Sequence, residues 1–177
     1  MSSFNVILAT SGRDTLQRMI DSIAYQLTDK DYLTVIWDCP PRGIAVDSPC
    51  TVISIKNAHP FGAWGHGSRT RWQAMLPGDY HMNADDDDIY VPDAMQAIRL
   101  HCNQDKLYIF QMLYCGSPLP LKHELQLGNI GTPCGVYKPY NLPEWPLKHG
   151  GDFEFYNELA KYRSVEWIDK IIYRVKG

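Results

Sequence analysis

Two short apolar runs, Phe4 to Ala9 ("FNVILA") and Tyr32 to Trp37 ("YLTVIW"), flank an amphipathic stretch near the start of the chain. In that stretch Leu16, Met19, Ile20, Ile23, Ala24 and Leu27 recur at helical spacing, with Asp14 or Thr15 placed as N-cap. A strand, a helix and a second strand of these lengths make a βαβ unit, and its two strands must run parallel because the helix carries the chain back across the sheet. Thr51 to Ile55 ("TVISI") reads as a third strand. A parallel sheet needs helices over its faces, so the pattern restricts the chain to the α/β class.

The remaining segments continue the theme. "NAHPFGAWGHGSRTRWQAM" is glycine-rich at first and then helix-compatible from about Ser68 to Met75. "DYHMNA" reads as a short strand, Pro92 can open a helix carrying Met95, Ile98 and Cys102, and Lys106 to Leu113 forms another strand. Residues 116–150 are rich in Gly and Pro and read as loops with short strands such as "GVY" at 135–137. "GGDFEFYNELAKY" returns to a helix, and "VEWIDKIIYRV" supplies terminal extended segments. With 177 residues, no internal repeat and no linker, the whole of 1–177 reads as one domain with a substantial core. About 1–105 form a doubly wound half, and about 106–177 a smaller, looser half beside it.

Composition excludes several classes. A formal net charge of −3 leaves no broad basic footprint, so no nucleic-acid partner is expected. No apolar run approaches the ~20 residues of a membrane-spanning helix. "MSSFNVILAT" lacks a basic lead and a cleavage-like segment, so no signal peptide is expected. Five cysteines, widely spaced and without a C-x-x-C pair, point to reduced thiols and a cytoplasmic setting.

The chemistry concentrates in "YHMNADDDDIYVP", where Asp85, Asp86, Asp87 and Asp88 follow one strand. Two carboxylates about 5 Å apart repel by roughly 3 kcal/mol at an effective dielectric near 20. The run is therefore either a solvated turn or a cleft that expects a cation. In extended backbone Asp85 and Asp87 share one side, Asp86 and Asp88 the other. Oxygen-only ligands suit Mg²⁺ or Mn²⁺, which take one or two carboxylates plus substrate phosphates. An EF-hand loop begun at Asp85 would need glycine at Tyr90 and glutamate at Gln96, so a calcium loop is excluded. In open parallel sheets ligands sit at the carboxyl ends of strands, where both Asp38 and the aspartate run fall.

Taken in order, "NVILATSGR", Asp38, "GSRTRWQAMLPGDYHMNADDDDIYVPDAM" and "GGDFEFYNEL" resemble the family 2 glycosyltransferases of the GT-A fold, over about residues 4–160. The resemblance implies a mostly parallel, Rossmann-like sheet with flanking helices, about 1–105 holding a nucleotide-sugar and about 106–177 the acceptor side. It implies a metal-dependent, inverting, non-processive transfer of a sugar from a UDP-sugar donor to a hydroxyl acceptor, such as a glycan, with Mn²⁺ or Mg²⁺. Thr10 and Arg13 would border the nucleotide, Asp38 would accept from the uracil ring, and Arg69 would lie near the base or phosphates. Asp85 or Asp86 would face the ribose, Asp87 would be the direct metal ligand, and Asp152 the general base.

The chain departs from the family pattern in places. Ala9-Thr10 replaces the usual "PT", Thr70 replaces an asparagine, and Gly151 stands where a glutamate often precedes the catalytic aspartate. The "Q-x-x-R-W" box of processive members is absent, and the chain is short for the fold. Two other readings stay open: a sugar nucleotidylyltransferase, although "TSGRDTLQRM" lacks that class's proline and lysine, and a non-catalytic module that binds a nucleotide-sugar. Asp152 could instead serve as a helix cap. "GAWGHGS" reads as a flexible loop near the donor, lacking both a phosphate lysine and a dinucleotide fingerprint. Trp72 reads as a packing residue, while Trp64 and Trp145 could either stack on a sugar or pack.

Overall fold

The computed structural model describes residues 2–175. Strands β1 (Phe4–Thr10), β2 (Tyr32–Trp37), β3 (Thr51–Lys56) and β4 (Tyr80–Asp85) stand in the order β3-β2-β1-β4, all parallel. β1 is buried along its full length, as a central strand must be, whereas β3 alternates toward solvent as the edge. The chain then adds β5 (Ile89–Tyr90), β6 (Leu107–Tyr114), β7 (Ser117–Leu119), β8 (Gly135–Tyr137) and β9 (Val165–Arg174). They extend the same sheet as β4-β8-β6-β9-β5, with β7 hairpinned onto β6. β8 is antiparallel to both neighbours, while β6 and β9 are parallel to one another. The sheet is thus largely parallel, as expected, and runs unbroken through both halves of the sequence.

Helix α1 (Leu16–Ala24) buries the apolar stripe read from the sequence, and α3 (Ala94–His101) buries Met95 and Ile98. Together they pack on Phe4, Val6 and Leu8 of β1, which point to one face. Ile7 points to the other, where it meets Ile36, Leu76 and Trp72 at the end of α2 (His66–Trp72). The period-two alternation of one strand therefore serves two helical layers. A fourth helix, α4 (Gly151–Leu159), buries Phe155, Tyr156 and Leu159. Trp145 stacks on Phe155 at 4.0 Å and is 1% exposed, so it is a packing residue. Among the described residues no helix is long and apolar enough to cross a membrane.

Several local expectations shift. Thr15 occupies the N-cap position of α1 but makes no capping bond, and Asp14 pairs with Arg42 instead. Pro92 does not open α3; Asp93, in a left-handed conformation, precedes its first residue Ala94. The helix placed at about 68–75 begins earlier, at His66, and tightens into a 3₁₀ turn over Gln73–Met75. The terminal extended segment is a strand as expected, β9, and it lies between β6 and β5.

At the amino ends of the strands the sheet is pinned by one buried carboxylate. Asp31 accepts from the backbone N–H of Phe4 (3.0 Å) and Thr28 (2.7 Å), from the Thr28 hydroxyl (2.8 Å) and from Arg99 of α3 (2.5 Å). Burial alone would push its pKa up; the Arg99 ion pair and the Thr28 and Phe4 bonds outweigh burial and hold it below the usual carboxylate value. Its contribution to stability is therefore present above the unfolded-state carboxylate pKa and lost as pH falls through the lowered folded value. Asp31→Ala would strand Arg99 and two backbone donors and is expected to cost about 3–5 kcal/mol, read as the drop in unfolding free energy in urea at pH 7.

Candidate active site at the carboxyl strand ends

The carboxyl ends of β1, β2 and β4 open onto a cleft of about 670 Å³ that is also lined by residues of β6, β7 and 127–132. Thr10, Arg13, Asp38, Asp85, Asp86, Asp87 and Asp152 all line it. Residues far apart in sequence thus converge because parallel strands deliver their ends to one edge. Arg69 is the exception. Its side chain is 0% exposed and lies beneath the cleft rather than in it.

Arg69 projects from α2 and donates to the Trp64 carbonyl (3.0 Å), the Ala84 carbonyl (2.9 Å) and the Asp85 carboxylate (2.8 Å). Its guanidinium also sits over the Trp145 ring at 5.3 Å. This accounts for one of the four aspartates. Arg13 accounts for two more: it pairs with Asp87 and lies 3.4 Å from Asp86. Asp86 is buried and accepts the Thr10 hydroxyl at 2.5 Å, while the Thr10 oxygen accepts the Gly12 N–H at 2.9 Å. Arg18 donates to the Asp87 carbonyl at 2.9 Å, and Asp88 is buried. The backbone is not extended through the run as expected: β4 ends at Asp85 and Asp86–Asp87 form a turn, in which Asp86 and the following Asp88 are buried. The side chains of Asp85 and Asp87 remain 34% and 27% exposed toward the cleft.

The hard-oxygen donor set of Asp85 and Asp87 fits Mg²⁺ or Mn²⁺. Among the described residues no group of three or more His, Cys, Asp or Glu forms a ready-made cage; an ion shared with a diphosphate needs only one or two carboxylates. Asp38 is already engaged by Asn57, by the Ser68 hydroxyl (2.7 Å) and by the Gly62 N–H (3.0 Å). A carboxylate offers about four acceptor sites, so Asp38 keeps capacity for one further donor.

Asp152 lies in the first turn of α4, where its carboxylate accepts the Phe153 N–H at 2.9 Å. Gly150 holds the N-cap position, so Asp152 is not the N-cap. Burial raises the Asp152 pKa despite that bond and the neighbouring His66. The preceding residue has to be glycine. A Cβ on Gly151 would come within 2.4 Å of the Pro146 carbonyl oxygen and 2.8 Å of His66 Nδ1. Glycine at this position is thus a packing requirement.

Two contributors were not singled out in the sequence reading of the site. His66 is buried at the start of α2, with Nδ1 2.7 Å from the Pro146 carbonyl. Burial pulls its pKa down, which keeps the ring neutral at pH 7. The apolar part of the lining, Met112, Tyr114, Leu119, Leu127 and Ile130, carries no charged side chain. Neither has a local sequence signal, because tertiary packing alone brings them to the cleft. The "GAWG" loop is also unlike the flexible loop expected. Gly62, Ala63, Trp64 and Gly65 all have positive φ, and Ala63–Gly65 forms a 3₁₀ turn. Left-handed backbone costs about 1–3 kcal/mol at each non-glycine position; the bonds from Arg69 and Asp38 hold it in place.

The largely parallel sheet flanked by helices is a GT-A-like fold that the chain shares with solved glycosyltransferase structures. No family model and no curated protein sequence matches the chain. Among solved structures it is similar to TarS 1–349 of S. aureus, with a TM-score of 0.74 at 15% identity over 98% of this chain and 60% of that one. It is also similar to that protein in complex with UDP-GlcNAc (TM-score 0.68, 14% identity, 99% and 58% covered). The mannosyltransferase PcManGT from Pyrobaculum calidifontis, in complex with GDP-Man and Mn²⁺, gives a TM-score of 0.66 at 11% identity, with 98% and 56% covered. The chain spans less than two thirds of the length of each of these proteins.

Because Arg69 joins three segments of the site, Arg69→Ala is expected to cost about 3 kcal/mol of unfolding free energy, the lower end for a broken buried ion pair since Asp85 keeps some water. Arg69→Lys should recover only part of that loss, since an ammonium cannot reproduce the planar fork. Urea unfolding of the two variants beside the wild type checks both expectations.

Proposed function

We propose that the chain is an inverting, metal-dependent glycosyltransferase that moves a hexose-like sugar from a UDP-sugar to a hydroxyl acceptor, non-processively and in the reducing cytoplasm. One observation carries this reading: a half-buried Asp152 shares a cleft with Asp38 and with the half-open pair Asp85 and Asp87. That is the constellation a displacement at an anomeric carbon requires, with a base at one end and a holder for the diphosphate leaving group at the other.

Asp38 accepts the donor N–H of the uracil with its remaining acceptor site. Asp87, with Asp85 beside it, would hold Mn²⁺ or Mg²⁺, which supplies Lewis-acid stabilisation of the departing UDP. Arg13 is half-exposed and already at Asp87, so it can turn to a phosphate oxygen and add a second positive charge. Asp152 takes the proton of the attacking hydroxyl. A positioned base of this kind contributes about 10²–10⁴-fold, and a single in-line displacement inverts the anomeric configuration. The raised Asp152 pKa improves the base, because a carboxylate closer to neutral pH holds the proton more firmly.

Three outcomes test the reading. Asp152→Asn should lower turnover by about 10²–10⁴-fold and leave UDP binding unchanged. Asp87→Ala should abolish the Mn²⁺-dependent part of UDP binding by calorimetry. The base must be ionised, so kcat should fall on the acid side with a midpoint above the ordinary carboxylate range, matching the direction of the Asp152 shift. Release of UDP supports the transferase; release of pyrophosphate from a sugar phosphate and a nucleotide would instead assign a nucleotidylyltransferase.

A further inference from the structure

Trp64 is the largest side chain left in the open beside the cleft, 63% exposed, although Trp37 and Trp145 are buried. Its position is enforced. The backbone from Gly62 to Gly65 runs through four consecutive positive φ values, of which those of Ala63 (48°) and Trp64 (54°) fall on residues with a Cβ. The Gly62 N–H is held by Asp38 at 3.0 Å and the Trp64 carbonyl by the buried Arg69, also at 3.0 Å. Gly65 fits against Ala9 so closely that an added Cβ would come within 2.6 Å of it. Strain of this sort persists only where the surroundings over-determine it, and it gathers at ligand clamps. Here it holds an indole ring out of the core, in water, at the mouth of a cleft.

The neighbours of the indole say what it faces. Its ring lies 6.0 Å from His149, edge-on, and 6.4 Å from His66. His149 stands three residues before Asp152, and His66 packs on Gly151. The indole thus overlooks the start of α4. The same cleft is lined by Met112, Tyr114, Leu119, Leu127 and Ile130, all uncharged. Among the described residues lining the cleft, Arg13 is the only lysine or arginine, and it is paired with Asp87 and Asp86. An anionic group near Asp152 would meet carboxylates and no unengaged cation.

We propose that Trp64 is a stacking platform for the acceptor, and that the acceptor presents an uncharged sugar ring whose C–H face lies on the indole. The assignment rests on the transferase reading for the role of Asp152. The geometry of the platform does not depend on it.

The full-length chain labelled with ¹⁵N-tryptophan tests this, the Trp64 indole resonance being identified by its loss in Trp64→Phe. The probes are UDP with Mg²⁺, methyl hexosides and neutral disaccharides, and hexose 6-phosphates, each sugar added with and without UDP–Mg²⁺. Neutral glycosides are expected to shift the Trp64 resonance saturably. Trp64→Ala should weaken that binding about tenfold and Trp64→Phe by about twofold, the range of an aromatic contact. Both variants should bind UDP within about twofold of wild type, because the side chain is outside the core. The proposal is overturned if UDP alone moves the resonance and Trp64→Ala weakens UDP binding, which would make the ring a base platform. It is equally overturned if no neutral glycoside moves the resonance, or if the hexose phosphates bind as tightly. Absence of UDP binding by the wild type would remove the transferase reading, while the glycoside arms without nucleotide would still decide the platform.

Discussion

The site is organised around one buried guanidinium. Arg69 reaches from α2 to the end of β4, to the strained loop before α2 and to the face of Trp145 ahead of α4. Each partner belongs to a different segment, and a planar group with several fixed donors can satisfy all of them at once. A buried arginine without acceptors would cost several kcal/mol, so the segments are held where those acceptors lie. Asp85 is fixed as a consequence, and with it the path of the aspartates that follow.

The concentration of negative charge after β4 is then intelligible. It is partly neutralised from three directions, by Arg69 below, Arg13 across the turn after β1, and the Thr10 hydroxyl. Asp86 is engaged by the Thr10 hydroxyl, while Asp85 and Asp87 remain partly exposed at the cleft. A solvated acidic turn would need none of this support. The opposite end of the sheet offers the contrast: Asp31 spends its carboxylate on Phe4, Thr28 and Arg99. One carboxylate secures the fold, while Asp85 and Asp87 keep oxygens in reach of a ligand.

Much of this was readable beforehand. The strands at Phe4, Tyr32 and Thr51, the stripe of α1 and the turn into the aspartates follow from period and composition, because each depends on neighbours within one element. The convergence of Asp38 with the aspartate run followed from parallel strands. The helix start at Ala94 was missed because Asp93 adopts a left-handed conformation that propensity does not announce. The place of β9 between β6 and β5, and the insertion of antiparallel β8 beside β4, were equally silent. Pairing between distant strands leaves no periodic mark in either one.

Within the sequence, then, lay the fold class, the strand ends that meet at the cleft and the identity of most carboxylates there. These are set by local pattern and by the obligatory parallelism of βαβ units. Only the tertiary structure decided that Arg69 supports the cleft from below, that Gly151 makes room for His66, and that Trp145 is core while Trp64 stands in water. Those outcomes turn on which groups share a buried space, and burial is a property of the assembled molecule that no single segment encodes.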